Sequence, residues 1–414
     1  MSRIPVLLVA VLLVAVPAAA LTGGHAAGPT VTDTRSPSLG SRTPNATNVL
    51  LLSGSGEAAF TNATVTVTAA VGASQAGLDG AFSTQRLDAR LAAASSDADR
   101  LAILRNATTA AANRTNAIVT TEAKARTAFA DGRLSAHSLV QRVAIDSARA
   151  DALSAYLKAV RSHAVDLHAQ RSLLDRVSAL SGRLTAYDTG SDSLRSLLAA
   201  AVSGKRPPLR VFVSASGNGL TLAAVDGGTY YHSTYRVDNY DAAPASGGVD
   251  LGSFSTSLRS LYPTTWNLSA NGGRQAYSAP GGAYLYRAVL GYSRSGGQQS
   301  TLVVYLDPST DAVYREDKQV SPSDVAPGPA VSHTTDGVTL SVDRTYPGGP
   351  MRVAVANATG APLEATVLVN GTDVGQTTPR TGATWTVSPA GTFTVTAATR
   401  NATVSLEATA IHRP

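Results

Sequence analysis

The sequence predicts a multi-domain α+β protein: an antiparallel helical hairpin with a coiled-coil-like segment, a small α+β module, and a C-terminal immunoglobulin-like β-sandwich. Three observations predict it. Residues 84–202 are rich in Ala, Leu and Arg and contain almost no Gly or Pro, a helix-forming composition. After Pro207-Pro208 the apolar period falls to two, and after the linker 326–328 come several short, evenly spaced apolar runs. A chain of 414 residues has room for several separate cores. The expected divisions are 1–20 signal peptide, 21–48 flexible linker, 49–206 mainly helical domain, 207–325 α+β domain and 326–414 β-sandwich domain.

Ile4 to Leu21 carries no charge, follows Arg3 and runs into Ala18-Ala19-Ala20, the basic start, apolar middle and small-residue exit of a secretory signal. Cleavage after Ala20 is expected; an uncleaved anchor would be the sole attachment to a membrane. Residues 22–48, rich in Gly, Pro, Ser and Thr, read as a tether. Phe60 to Thr68 alternates and reads as a strand.

In the helical stretch, Leu87, Leu91, Ala94, Ala98 and Leu101 step by four and three. So do Val143, Ala150, Leu153, Leu157, Val160, Ala164 and Leu167, with a skipped place at Asp146. Ala130-Asp131-Gly132-Arg133 between them is a stop and reversal, with Ser135 placed to cap the next helix. A last helix is expected over Asp192 to Val202, bounded by Ser191 and Gly204.

Beyond the prolines, Leu209 to Val213, Leu220 to Leu222 and Tyr230 to Tyr235 read as strands parted by Gly-rich turns. Ala283 to Tyr292, Ser300 to Leu306 and Ala312 to Tyr314 continue the pattern, Phe254 to Tyr262 reads as a helix, and the tyrosines mark half-buried sheet positions. The sandwich strands are Val338 to Val342, Met351 to Ala356, Leu363 to Val369, Thr384 to Val387, Thr392 to Ala397 and Val404 to Ala408.

The absence of cysteine excludes disulfides, thiolate metal sites and a Cys nucleophile. Of the 34 basic side chains 30 are Arg, and residues 81–206 hold 18 Lys and Arg against 11 Asp and Glu, so the positive charge is local. Pairs such as Arg142 and Asp146 at i,i+4 read as an ordinary solvated helix surface, with a polyanion-binding face as the rival. Only Phe82, Phe129, Tyr156 and Tyr187 accompany this charge, so stacking platforms for nucleic acid are lacking and none is expected as a partner.

No catalytic, cofactor-binding or metal site emerges. Gly291-Tyr292-Ser293-Arg294-Ser295-Gly296 misses the nucleophile elbow at its last place. His163 and His168 sit five apart, on diverging helix faces, and read as exposed. Asp307, Asp311, Glu316 and Asp317 gather near one hairpin without the glycine of a calcium loop and read as turn residues. Neither Gly54 and Gly56 nor Gly217 and Gly219 opens a phosphate-binding helix.

Eight of 13 asparagines begin an Asn-x-Ser/Thr acceptor triplet: Asn45, Asn62, Asn106, Asn113, Asn267, Asn357, Asn370 and Asn401. Chance would place about three, so they are glycosylation candidates, with turn-prone composition as the plainer explanation.

Several strings carry a resemblance: 125–132 (Ala-Arg-Thr-Ala-Phe-Ala-Asp-Gly), 144–149 (Ala-Ile-Asp-Ser-Ala-Arg), Tyr230 to Arg236, Leu261-Tyr262-Pro263, Tyr305-Leu306-Asp307 and Val313-Tyr314-Arg315-Glu316. Across residues 50–320 the chain resembles an uncharacterised family of exported haloarchaeal proteins. The resemblance implies a location outside the cell and no activity. Exported haloarchaeal proteins are strongly acidic, whereas this chain carries +6. The expected function is that of a non-enzymatic surface or envelope protein, its partners other surface proteins or acidic glycans. The rivals are a polyanion- or glycan-binding module using the Arg-rich helices and, remotely, a hydrolase with a non-standard site at Ser293 or His232.

Overall fold

The computed structural model describes residues 48–54, 56–187, 193–241, 251–269, 274–278, 286–292, 300–307, 310, 312–325 and 327–411. The segment 1–47, with its expected signal and tether, lies outside them, and among the described residues no helix is long and apolar enough to cross a membrane.

A strand β1 (Gly56–Ala63) is followed by helices α1 (Val67–Ala93), α2 (Asp97–Ala130), α3 (Ala136–Asp166), α4 (Arg171–Leu184) and α5 (Leu194–Val202). Thr66, Ser96, Ser135 and Ser193 each accept a hydrogen bond from a first-turn N–H, satisfying donors that the helices leave free. The expected reversal is present: Gly132 takes φ +71° between α2 and α3. α1 begins well before residue 84 although it holds Gly72, Gly77 and Gly80, of which Gly72 and Gly80 face α3 and Gly77 faces open space. A Cβ on Gly80 would lie 2.8 Å from the Ala152 Cβ, so α1 approaches α3 closely there.

The coiled-coil-like reading needs correction. The first seam runs across a helix break: Leu87 and Leu91 are buried in α1, Ala94 caps its end, and Ala98 lies exposed in α2. The second is a true buried face, since Val143, Ala150, Leu153, Leu157, Val160 and Ala164 are all enclosed. α3 is the central helix, touching α1, α2, α4 and α5, so its apolar face serves a layered bundle rather than a paired seam. α2 runs antiparallel to α3, whereas the pairs Gly72 with Ile145, Gly80 with Ala152 and Asp88 with His163 show that α1 runs parallel to it.

The middle segment supplies β2 (Leu209–Ser216), β3 (Gly219–Asp226), β4 (Thr229–Arg236), α6 (Leu251–Leu261), α7 (Pro263–Leu268), β5 (Arg274–Ser278), β6 (Tyr286–Tyr292), β7 (Ser300–Asp307) and β8 (Ala312–Val320). They form one antiparallel eight-stranded sheet in the order β1-β2-β3-β4-β8-β7-β6-β5. β1 pairs with β2 from Gly56 opposite Ser216 to Ala63 opposite Leu209. The expected helical and α+β domains therefore share a sheet and its cores.

One face of the sheet meets the helices: Leu209, Val211, Val213, Leu220 and Leu222 pack with Leu139, Val143, Leu198 and Val202. The other is covered by Phe254, Leu258 and Tyr262 of the α6–α7 region over Leu302, Val304, Leu306 and Val313. Because both faces are covered, Tyr230, Tyr235, Tyr305 and Tyr314 are buried rather than half-buried.

The C-terminal strands are β9 (Ala330–Thr335), β10 (Val338–Asp343), β11 (Pro350–Asn357), β12 (Thr366–Val369), β13 (Thr372–Gln376), β14 (Ala383–Val387), β15 (Thr392–Ala398) and β16 (Thr403–Thr409). They form two four-stranded sheets, β14-β11-β10-β9 and β13-β12-β15-β16. The inward side of the strand alternation is clearest at Leu340, Val342, Val353, Val367, Val395 and Val404, which fill the space between the sheets. One end of this sandwich docks on the central sheet: the Tyr230 hydroxyl donates to the Gly348 carbonyl at 2.6 Å, and Val387 joins the core of Phe212, Ala223, Tyr230 and Val320. Gly348, at φ +81°, sits where a Cβ would come 2.9 Å from the Phe212 ring.

Candidate functional site

The ionisable residues converge where β4 and β8 lie side by side, and strand alternation sends them to opposite faces. The register sets His232 opposite Lys318, Ser233 opposite Asp317, Thr234 opposite Glu316 and Tyr235 opposite Arg315. Where β7 pairs with β8 the register shifts, Leu306 facing Val313 and Tyr305 facing Arg315, so Tyr314 is the extra residue of a bulge in β8 and packs with the helical core.

On the helical side, Glu122 of α2 accepts two hydrogen bonds from Arg195 of α5, at 2.9 and 3.0 Å, and lies 3.5 Å from Arg126. Arg195 also donates to Ser147 Oγ of α3 at 3.2 Å, while Arg126 lies over the Tyr235 ring with its carbon 5.7 Å from the centroid. Burial alone would raise the Glu122 carboxyl, but the guanidiniums, Arg195 foremost, outweigh it and hold it below its ordinary value. Nearby, Arg315 pairs with Asp317 at 2.7 Å, and Ser233 donates to Asp317 at 2.7 Å.

Asp146, the skipped place in the α3 pattern, is fully enclosed rather than part of a solvated pair with Arg142; its partner is Arg149 at 3.0 Å. Burial, and then the Glu122 charge, raise its carboxyl to about 6. The folded state thus binds this proton more tightly than the unfolded chain, so this group's contribution to stability falls as pH rises from about 4 to about 6. We predict that Asp146→Asn gains stability over the parent at pH 8, by up to about 3 kcal/mol, and that the advantage shrinks below pH 5. Urea unfolding of both proteins at the two pH values checks this; a pH-independent difference would refute it.

On the other face, Glu316 lies 3.1 Å from His232 Nδ1 and 3.0 Å from Lys318 Nζ, and accepts from the Leu50 backbone N–H at 2.7 Å. Lys318 donates also to the Asn48 carbonyl. Burial would raise Glu316, but Lys318 and His232 bring it down to about 2; burial lowers His232 against the opposing pull of Glu316. Thr234 Oγ1 stands 3.5 Å from His232 Nε2, so Thr234, His232 and Glu316 fall in the order of nucleophile, base and orienting acid. The three side chains are 0%, 2% and 0% exposed, and the neighbouring Lys318 ammonium lies 5.8 Å from the Tyr262 ring centroid.

The acidic quartet is dispersed rather than gathered. Glu316 and Asp317 point to opposite faces of β8, mid-strand and not in a turn; Asp307 accepts from the Asp241 N–H at 2.5 Å; Asp311 lies outside the described residues. Among the described residues no three His, Cys, Asp or Glu side chains are grouped to hold a metal ion. His163 is half-exposed and lies 2.8 Å from Asp88, His168 is exposed, and Ser293 lies outside the described residues.

Of the acceptor asparagines, Asn45 lies outside the described residues; Asn62, Asn106, Asn113, Asn267, Asn370 and Asn401 are exposed; Asn357 is half-buried. In α2 the Thr108 and Thr115 hydroxyls are buried and donate to the Leu104 and Ala111 carbonyls, so these two triplets also serve the helix. Asn357 sits in a turn where its side-chain oxygen accepts from the Thr359 N–H and hydroxyl at 3.0 and 2.8 Å. Sequence reasoning missed the buried pairs because a charge on a helix or strand shows its burial only through the neighbours brought to it; the skip at Asp146 was the one visible signal.

Residues 329–406 match the archaeal fibronectin-III type-like domain, and residues 211–326 match a family of unknown function, DUF7094. Residues 1–207 match the domain of unknown function DUF7096. No curated protein and no solved structure matches the chain. The resemblance seen in short strings thus holds as one to archaeal families of unknown function. With half of its length matched, the chain belongs to the DUF7096 family.

Proposed function

We propose that the protein works outside the cell as a non-enzymatic surface or envelope component with a structural or interaction role. The observation that carries this reading is where the polar side chains go. Among the described residues the buried charges Glu122, Arg195, Glu316 and Lys318 lie beside one another between the layers, while six of the acceptor asparagines stand at the surface. Asn357, Asn401 and the Asp336-Gly337 turn share the end of the sandwich opposite the one docked through Gly348. Expression in the native host, followed by cell fractionation, intact mass and N-terminal sequencing, tests it. A product in the envelope or medium, beginning near Leu21 and carrying hexose-sized increments, is the expected result; an unmodified chain retaining Met1 in the cytosol would overturn it.

One observation favours a second reading, a polyanion-binding module. A cleft of about 260 Å³ between α2 and α4 is lined by Leu101, Arg105, Gln170, Ser172, Leu173 and Arg176, with both guanidiniums exposed. Retention on immobilised polyanion would then fall steeply with salt and be weakened by Arg105→Ser/Arg176→Ser; retention indifferent to both removes it.

A further inference from the structure

α1 is apolar on two opposite faces, and the fold covers only one. Ala69, Ala76, Gly80, Leu87 and Leu91 turn inward, where Gly80 meets Ala152 of α3 and Gly72 meets Ile145. About 200° around the helix, Val67, Val71, Leu78 and Phe82 are 82%, 58%, 60% and 61% exposed, and Val65 just before the helix is 58% exposed. Of the six large apolar side chains exposed among the described residues, five belong to this one stretch. A helix apolar all round is normally a buried helix.

We propose that this stripe is a self-association surface, covered by the α1 of a second copy in antiparallel pairing. The spacing itself is two-fold symmetric. With the axis between Ser74 and Gln75, Val67 of one copy meets Phe82 of the other and Val71 meets Leu78, each contact occurring twice, as an isologous interface requires. A lipid surface fits less well: within the stripe, residues 64–85, the one charged side chain is acidic, Asp79, and a single Arg, Arg86, follows one turn past Phe82, where anionic headgroups call for a cluster of basic side chains. The two Asp79 carboxylates would stand about 13 Å apart along the axis, beyond the screening length at physiological salt. The stripe runs about 22 Å and offers roughly a few hundred Å² per copy, the low end for specific association, so the dimer is concentration-dependent. This inference goes beyond the proposed function, because it holds wherever the chain resides.

The absence of cysteine from the chain makes a clean test possible. Ser74→Cys places a thiol beside the axis, and Ala117→Cys places one on the exposed side of α2 as a control. Under mild oxidation the full chain carrying Ser74→Cys should form a disulfide-linked dimer at least tenfold faster than the control. Adding Val71→Glu/Leu78→Glu should abolish that advantage while leaving the circular dichroism melt in place. Sedimentation of the parent should show a monomer–dimer equilibrium that the same pair of substitutions shifts to monomer. Equal cross-linking from both positions, or a parent that stays monomeric up to millimolar concentration, overturns the proposal.

Discussion

Replacing Glu122 with Gln is expected to destabilise the protein by about 3–5 kcal/mol, enough to consume a large part of the stability of an ordinary domain. The carboxylate is the shared partner of Arg195 and Arg126, and all three side chains are 3% exposed or less. Removing its charge leaves two guanidiniums in a dry interior between α2, α3, α5 and β4, where their mutual repulsion is poorly screened. Gln keeps the size and can still accept one hydrogen bond, so the loss reports charge rather than shape. Urea unfolding followed by circular dichroism measures it. The companion Glu122→Leu/Arg126→Met/Arg195→Met, which removes the carboxylate and both guanidiniums, should recover most of the loss, since an apolar replacement of a buried ionic cluster is often neutral. A loss below about 1 kcal/mol for the single variant would show that water reaches the cluster.

Glu316→Gln is the second large effect, again about 3 kcal/mol, and it carries a pH signature. The folded carboxyl lies at about 2 against an ordinary 4.5. A carboxyl lowered by folding contributes stability that is present above about pH 4.5 and is lost as pH falls toward 2. The parent should therefore lose about 3 kcal/mol from this group over that interval, and the variant should not. Two other groups bend the same curve and must be separated from it. His232, lowered by burial, costs stability as pH falls below its ordinary value of 6.5, while Asp146 adds stability over part of the same range. Acid titrations of the parent, Glu316→Gln and Asp146→Asn isolate the Glu316 and Asp146 arms, and His232→Gln isolates the third. Parallel profiles for parent and Glu316→Gln between pH 4.5 and 2 would refute the assignment.

The placement of these charges bears on what they are for. Thr234, His232 and Glu316 stand in the order of a hydroxyl, a base and an acid, yet Thr234 lies closer to Thr221, at 2.8 Å, than to His232, at 3.5 Å, and Leu50 ties the carboxylate to the chain entering the fold. The same carboxylate joins β8, β4 and residues 48–50, segments far apart in sequence. The Glu122–Arg195 pair likewise joins three helices, Arg195 reaching Ser147 of α3. Each cluster works as a many-way link whose loss is felt in folding.

The sequence by itself determined the local elements: the reversal at Gly132, the Ser135 cap, the buried face of α3, and the alternating strands of the sandwich, because caps, turns and periods are read within a few residues. Only the tertiary structure decided which faces are covered. β1 became the edge of the central sheet through pairing with β2, some 150 residues on, which no local period encodes. α1 runs through its glycines, with Gly80 packed against Ala152. Arg195, Glu122, Glu316 and Lys318 look like solvated charges one by one; they are buried because their partners arrive from other elements. Burial is a property of the assembled layers, and local spacing carries it only where, as at Asp146, a charge falls on an otherwise apolar face.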